Sequence, residues 1–131
     1  ADLIKPNLEE LENILGRNIT DKDDLLEGCY ELIDRGAKRV LVSLGKQGAV
    51  ITDGKENCYC KSLNVAVNST VGAGDGMVAA AAIKLEQGAP LQEILRAGVA
   101  AGTATVMTIG QISFTKEKYN EVLNNLHVSR L

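Results

Sequence analysis

In the stretch Asn68–Ala80, "NSTVGAGDGMVAA", three glycines and an alanine surround a single carboxylate, Asp75, and small apolar residues follow. Residues without bulky side chains let a phosphate approach the main chain. The free N–H groups of a helix's first turn then point at that phosphate, and the helix dipole favours its charge. Asp75 falls within such a first turn. A carboxylate beside an anion cradle suits phosphoryl transfer: it can accept the proton of an attacking sugar hydroxyl while the amides hold the charge developing on the transferred group. The plainer alternative is that Asp75 only caps a helix after a glycine turn.

Spacing separates this stretch from other glycine motifs. A dinucleotide-binding G-x-G-x-x-G needs glycine at position 77, where Met77 stands, which disfavours a nicotinamide oxidoreductase. A P-loop needs a lysine after its last glycine, and no such lysine occurs; an EF-hand pattern is also missing.

The elements that must position Asp75 follow from periodicity. "DLIKPN" is a short apolar strand candidate that stops at Pro6. "NLEELENIL" carries Leu8, Leu11, Ile14 and Leu15 at helical spacing. "TDKDDLLEGCYELIDRG" predicts a second helix, with Thr20 as N-cap, Asp23 three residues on, and Gly36 as its stop. "RVLVSL" is a near-continuous apolar run, suited to a strand buried on both faces. Gly45 and Gly48 make a turn into "AVITDG", and Asp53-Gly54 is a hairpin signal. "NCYCKSLNVAV" reads as one strand or two short ones. "GMVAAAAIKLEQG", "PLQEILRAGVAAGTATVMTIG" and "KEKYNEVLNNL" then predict three helices, the second with Pro90 at its first turn. A strand–helix–strand crossover beside a hairpin predicts an α/β fold with a mixed, largely parallel sheet covered by helices. Ligands in such sheets sit at the carboxyl ends of strands. The loops Gly45–Gly48 and Gly72–Gly76 both fall at that edge.

The bulk composition limits the alternatives. The 131 residues suffice for one ordinary domain, and a formal net charge of -3 gives no electrostatic case for nucleic acid or an anionic membrane surface. No apolar run reaches the length of a membrane span and no signal peptide is recognisable, so a cytoplasmic protein is the expectation. Cys58 and Cys60 flank Tyr59, so both thiols should face one side of a strand. A metal site there lacks ligands, because the only histidine, His127, lies far along the chain near an end expected to fray. Reduced structural thiols are the simpler reading of Cys29, Cys58 and Cys60.

"STVGAGDGMVAA" resembles the second signature of the ribokinase-like (PfkB) carbohydrate kinases. "KPNLEE" resembles that family's Asn-x-x-Glu element at Asn7 and Glu10. "SLGKQGAVI" resembles its nucleotide loop, and "AGVAAGTATV" the helix that lies against adenine. The similarity runs in order over nearly all of the chain. It implies the carboxy-terminal portion of a ribokinase-like three-layer α/β sandwich.

The resemblance also implies site residues. Asp75 matches the catalytic base, and Gly72, Ala73 and Gly74 match the anion hole. Asn7 and Glu10 match the element that organises Mg²⁺, through water, around the phosphates of ATP. Lys5 lies in the same stretch and can reach the nucleotide. Ser43, Leu44, Gly45, Lys46, Gln47 and Gly48 would lie along MgATP. Carbonyls near Ser69 and Val71 hold a monovalent cation in some relatives. Each position also has a plainer role: Asn7 with Glu10 makes a helix cap with a reciprocal acid, Gly45 and Gly48 make a hairpin turn, and Lys46 is a solvated loop charge.

Two departures stand out. Relatives often carry Asp at the position of Ser69 and Ser or Thr at that of Gly76. Ser69-Thr70, with Met77-Val78 after the acid, is similar to the sugar-phosphate branch, 1-phosphofructokinase ahead of tagatose-6-phosphate kinase. The chain is also short: family members have an amino-terminal half that supplies sugar-binding groups and a lid. The resemblance therefore implies an ATP-binding part whose intact enzyme phosphorylates a ketohexose phosphate, fructose 1-phosphate to fructose 1,6-bisphosphate being the best match. The fragment alone is expected to be inactive, and a homo-oligomer is compatible. The rival class is a non-catalytic nucleotide-binding module.

Overall fold

A computed structural model describes residues 2–63, 72–107 and 115–131. The elements are α1 (Leu8–Leu15), α2 (Lys22–Asp34), β1 (Val40–Ser43), β2 (Ala49–Thr52), β3 (Asn57–Cys60), α3 (Ala73–Glu86), α4 (Leu91–Met107), α5 (Lys116–Asn124) and β4 (Val128–Arg130).

The strands form one sheet in the order β1-β2-β3-β4, and every neighbouring pair is antiparallel. The expectation of a largely parallel sheet is corrected here. Among the described residues, parallel pairing occurs only at the isolated bridges Ile4–Val40 and Asn7–Ser43. The physical reason is connection length. β1, β2 and β3 are joined by turns too short for a crossover, so they can only pair antiparallel. Only the long α1–α2 connection returns the chain parallel to its start, and there Pro6 supplies no N–H to a ladder. The strand candidate in "DLIKPN" is thus reduced to two bridges, tied to β1 by Ile4 N–H to the Arg39 carbonyl at 3.1 Å and Leu41 N–H to the Ile4 carbonyl at 2.9 Å.

Strand alternation divides the apolar side chains between two cores. Val40, Val42 and Val50 pack with Leu11, Leu25, Cys29 and Leu32 of α1 and α2. Leu41, Ala49, Ile51, Cys58 and Cys60 pack with Ala81, Leu95, Val99 and Ala104 of α3 and α4, and with Val122 of α5. The sheet therefore lies between two helical layers, as the resemblance implies. Cys58 and Cys60 do share a face, with Tyr59 on the other.

Two terminal details differ from expectation. The cap of α2 is Asp21, whose side chain accepts from Asp24 N–H at 2.8 Å, and not Thr20. Thr20 instead donates its hydroxyl to the Asp24 carboxylate at 2.7 Å, which with the Thr20 amide holds the Asp24 carboxyl below the usual carboxylate range. The end of the chain does not fray: Val128–Arg130 forms β4, paired with β3. The hairpin at Asp53-Gly54 is present, with the Asp53 carboxylate accepting from Lys55 N–H at 2.9 Å and Glu56 N–H at 2.7 Å.

Candidate active site

Three stretches distant in sequence meet at one edge of the sheet. β1 carries Ser43 to its carboxyl end, beside Asn7 of the parallel segment. Lys5 Nζ donates to Ser43 Oγ at 3.3 Å. The same ammonium lies 3.3 Å from where a Cβ on Gly74 would stand, at the front of α3. A lysine, a hydroxyl and a side-chain-free helix start thus converge. Any side chain at Gly74 would press on the Lys5 head, so glycine leaves the cationic group beside bare main chain.

α3 begins with Gly72 in the left-handed region at φ +83°, a conformation glycine adopts without steric cost. Gly72, at the N-cap position, has no side chain with which to take the leading amides of α3. Asp75 lies in the first turn and is exposed. Gly72, Ala73, Gly74 and Asp75 therefore occupy the helix start expected of an anion cradle and a neighbouring acid. Two cavities of the described residues lie elsewhere. One of about 560 Å³ sits by Leu3, Arg39 and Leu85, and one of about 380 Å³ by Tyr59, Lys61 and His127. Ser69 and Val71, the expected cation carbonyls, lie outside the described residues, as does most of the segment leading into Gly72.

Asn7 and Glu10 form a complete capping box: Glu10 N–H donates to Asn7 Oδ1 at 2.7 Å and Asn7 N–H to Glu10 Oε1 at 2.8 Å. Their plainer role is real, and both are exposed, with Asn7 beside Ser43. No group of three or more His, Cys, Asp or Glu side chains able to hold a metal ion occurs among the described residues. Glu10 offers one carboxylate there and Asn7 one amide oxygen, and an oxygen of each accepts within the cap.

Gly45–Gln47 is one turn of 3₁₀ helix between β1 and β2, closed by Leu44 N–H to the Gly48 carbonyl at 2.8 Å. Gly45, Lys46 and Gln47 are exposed, whereas Gly48 is buried at φ +104°, where a Cβ would overlap the Cys60 carbonyl oxygen. Tyr59 donates its hydroxyl to the Gln47 carbonyl and pins the loop from the next hairpin. Spacing gave no sign of this contact.

The thiols take no part. Burial pushes Cys29 up to about 12 and Cys60 up to about 11, and burial likewise raises Cys58. Protonated, buried thiols are poor nucleophiles and poor metal ligands. No helix among the described residues is long and apolar enough to cross a membrane.

Known proteins are similar to this chain in sequence and in fold. The chain is 46% identical over 111 residues to the ATP-dependent 6-phosphofructokinase isozyme 2 of Escherichia coli K12, covering 83% of this chain and 36% of that protein. It is 34% identical over 107 residues to a 1-phosphofructokinase of Borreliella burgdorferi, covering 80% and 34%. The solved structure of E. coli phosphofructokinase-2 in complex with potassium superposes with a TM-score of 0.87 at 39% identity, covering 94% of this chain and 40% of that one. The chain thus spans well under half of the relatives it matches. The family model described as "pfkB family carbohydrate kinase" matches residues 1–118, so the chain belongs to that family.

Proposed function

We propose that this chain supplies the nucleotide-holding part of a kinase that moves the γ-phosphoryl of MgATP to a primary hydroxyl of a fructose monophosphate. The observation that carries the reading is the meeting of Lys5, Ser43 and Gly74 at the start of α3, whose N-cap residue Gly72 has no side chain. In this reading the amides of Gly72, Ala73 and Gly74 hold the oxygens of the migrating phosphoryl group, and Lys5 adds a positive charge from the side. Asp75 accepts the proton of the attacking hydroxyl as its oxygen bonds to the γ-phosphorus and the bond from that phosphorus to the β–γ bridging oxygen breaks, ADP being the leaving group. Ser43–Gly48 lies along the nucleotide. Mg²⁺, when bound, neutralises phosphate charge, while Asn7 and Glu10 orient its water from their capped positions. The sugar-binding groups and lid belong, in this reading, to the remaining length that the relatives have.

Both fructose 6-phosphate and fructose 1-phosphate would give fructose 1,6-bisphosphate. The higher identity to a protein named 6-phosphofructokinase favours fructose 6-phosphate as acceptor; the 1-phosphofructokinase relative keeps fructose 1-phosphate as the second reading. The test joins these residues to the amino-terminal portion of the E. coli relative and measures turnover with each sugar phosphate. Asp75→Asn is expected to lower turnover by roughly 10² to 10⁴, the range for a lost general base, with ATP affinity little changed. Unchanged turnover would return Asp75 to the role of a helix-start acid.

A further inference from the structure

α3 and α4 face each other through residues with little side chain. A Cβ on Gly98 would lie 3.1 Å from Met77 Cγ, and one on Gly102 would lie 3.6 Å from the Ala73 carbonyl oxygen. Further along α4 stands Thr105. Its hydroxyl donates to the Ala101 carbonyl at 2.8 Å, and a β-branched side chain held by that bond is locked at χ1. Two sides of this one fixed side chain then meet the anion cradle. Oγ1 lies 3.0 Å from where a Cβ on Gly76 would stand, and Cγ2 lies 3.9 Å from where one on Gly72 would stand. Gly76 N–H in turn donates to the Gly72 carbonyl at 2.9 Å, closing the turn that contains Asp75.

We propose that Thr105 is a positioning residue, a wedge from α4 that sets the angle at which the leading amides of α3 and Asp75 address the phosphoryl group. Gly76 is the other half of the device: it carries no side chain because Thr105 fills the space. The catalytic consequence rests on the kinase reading above; the structural one rests on packing alone.

The test is a double-variant cycle of Gly76→Ala and Thr105→Ala, read in two ways. In the 131-residue chain, the amide resonances of Gly72–Asp75 are expected to move in Gly76→Ala and to return toward their original positions when Thr105→Ala is added. In the completed enzyme, each single change is expected to lower kcat by about tenfold with a smaller effect on the KM for MgATP, because misplacing reacting groups acts on turnover. The double variant should exceed either single one. Strictly additive losses, or losses that only follow a lowered thermal midpoint, would overturn the proposal. So would unmoved Gly72–Asp75 resonances in both single variants, a result readable even if the completed enzyme has no turnover, which would count against the kinase reading instead.

Discussion

Lys5 shows how one residue can join motifs that the sequence keeps apart. The stretch "KPNLEE" marks Lys5 as near the nucleotide only by resemblance, and no spacing rule connects it to residues 38 and 69 positions away. The fold does so by laying residues 4–7 parallel to β1, which brings the ammonium to Ser43 and to Gly74. The cysteines show the opposite case, where composition and alternation already indicate reduced, buried groups. Their pKa values carry a stability consequence. The folded chain holds thiol protons that the unfolded chain releases above about pH 8.5. Their contribution is therefore complete below that value and lost as pH rises toward the folded values of about 11 and about 12 for Cys60 and Cys29. The thermal midpoint is expected to fall between about pH 8.5 and about pH 11. Cys29→Ala should lower the midpoint at neutral pH and flatten that decline, and an equally steep decline in the variant would show that the titrating group is another one.

Among the elements, the helices were legible because their apolar residues repeat with the helical period and their ends carry recognisable caps. α1, α2, α4 and α5 all fall within the stretches assigned to them. The cap of α2 was misplaced by one residue because Thr20 and Asp21 are both competent; the Thr20 hydroxyl is used instead on Asp24. Strand existence was legible too, but strand direction was not. Direction depends on which connections cross over, and Pro6 with the short turns after β1 leaves only two parallel bridges among the described residues. β4 was missed because a three-residue ladder with one apolar residue has no visible period. The cap of α1 offers a direct separation of structure from chemistry. Asn7→Ala is expected to cost about 1 kcal/mol of stability through the lost cap. Asn7→Ser, which can still cap, should keep the thermal midpoint near the original while weakening MgATP in the completed enzyme. Unweakened MgATP would leave Asn7 with the capping role alone.

At the scale of the molecule, one sheet lies between two cores and carries Ser43 to the edge where Lys5 and Gly74 also meet. The three-layer arrangement was implied by the family resemblance, and the near-continuous apolar run Val40–Leu41–Val42 suited a strand buried on both faces. The interlock of Thr105 with Gly72 and Gly76 could not be read from the sequence, because it depends on how closely α4 approaches α3. Binding of the phosphates of ATP at this edge is best tested by titrating the isotopically labelled chain with MgATP and following its amide resonances. Lys5, Ser43–Gly48 and Gly72–Asp75 are expected to shift together while α5 and β4 stay unchanged; shifts gathered elsewhere, with Gly72–Asp75 unmoved, would place the phosphates away from this edge.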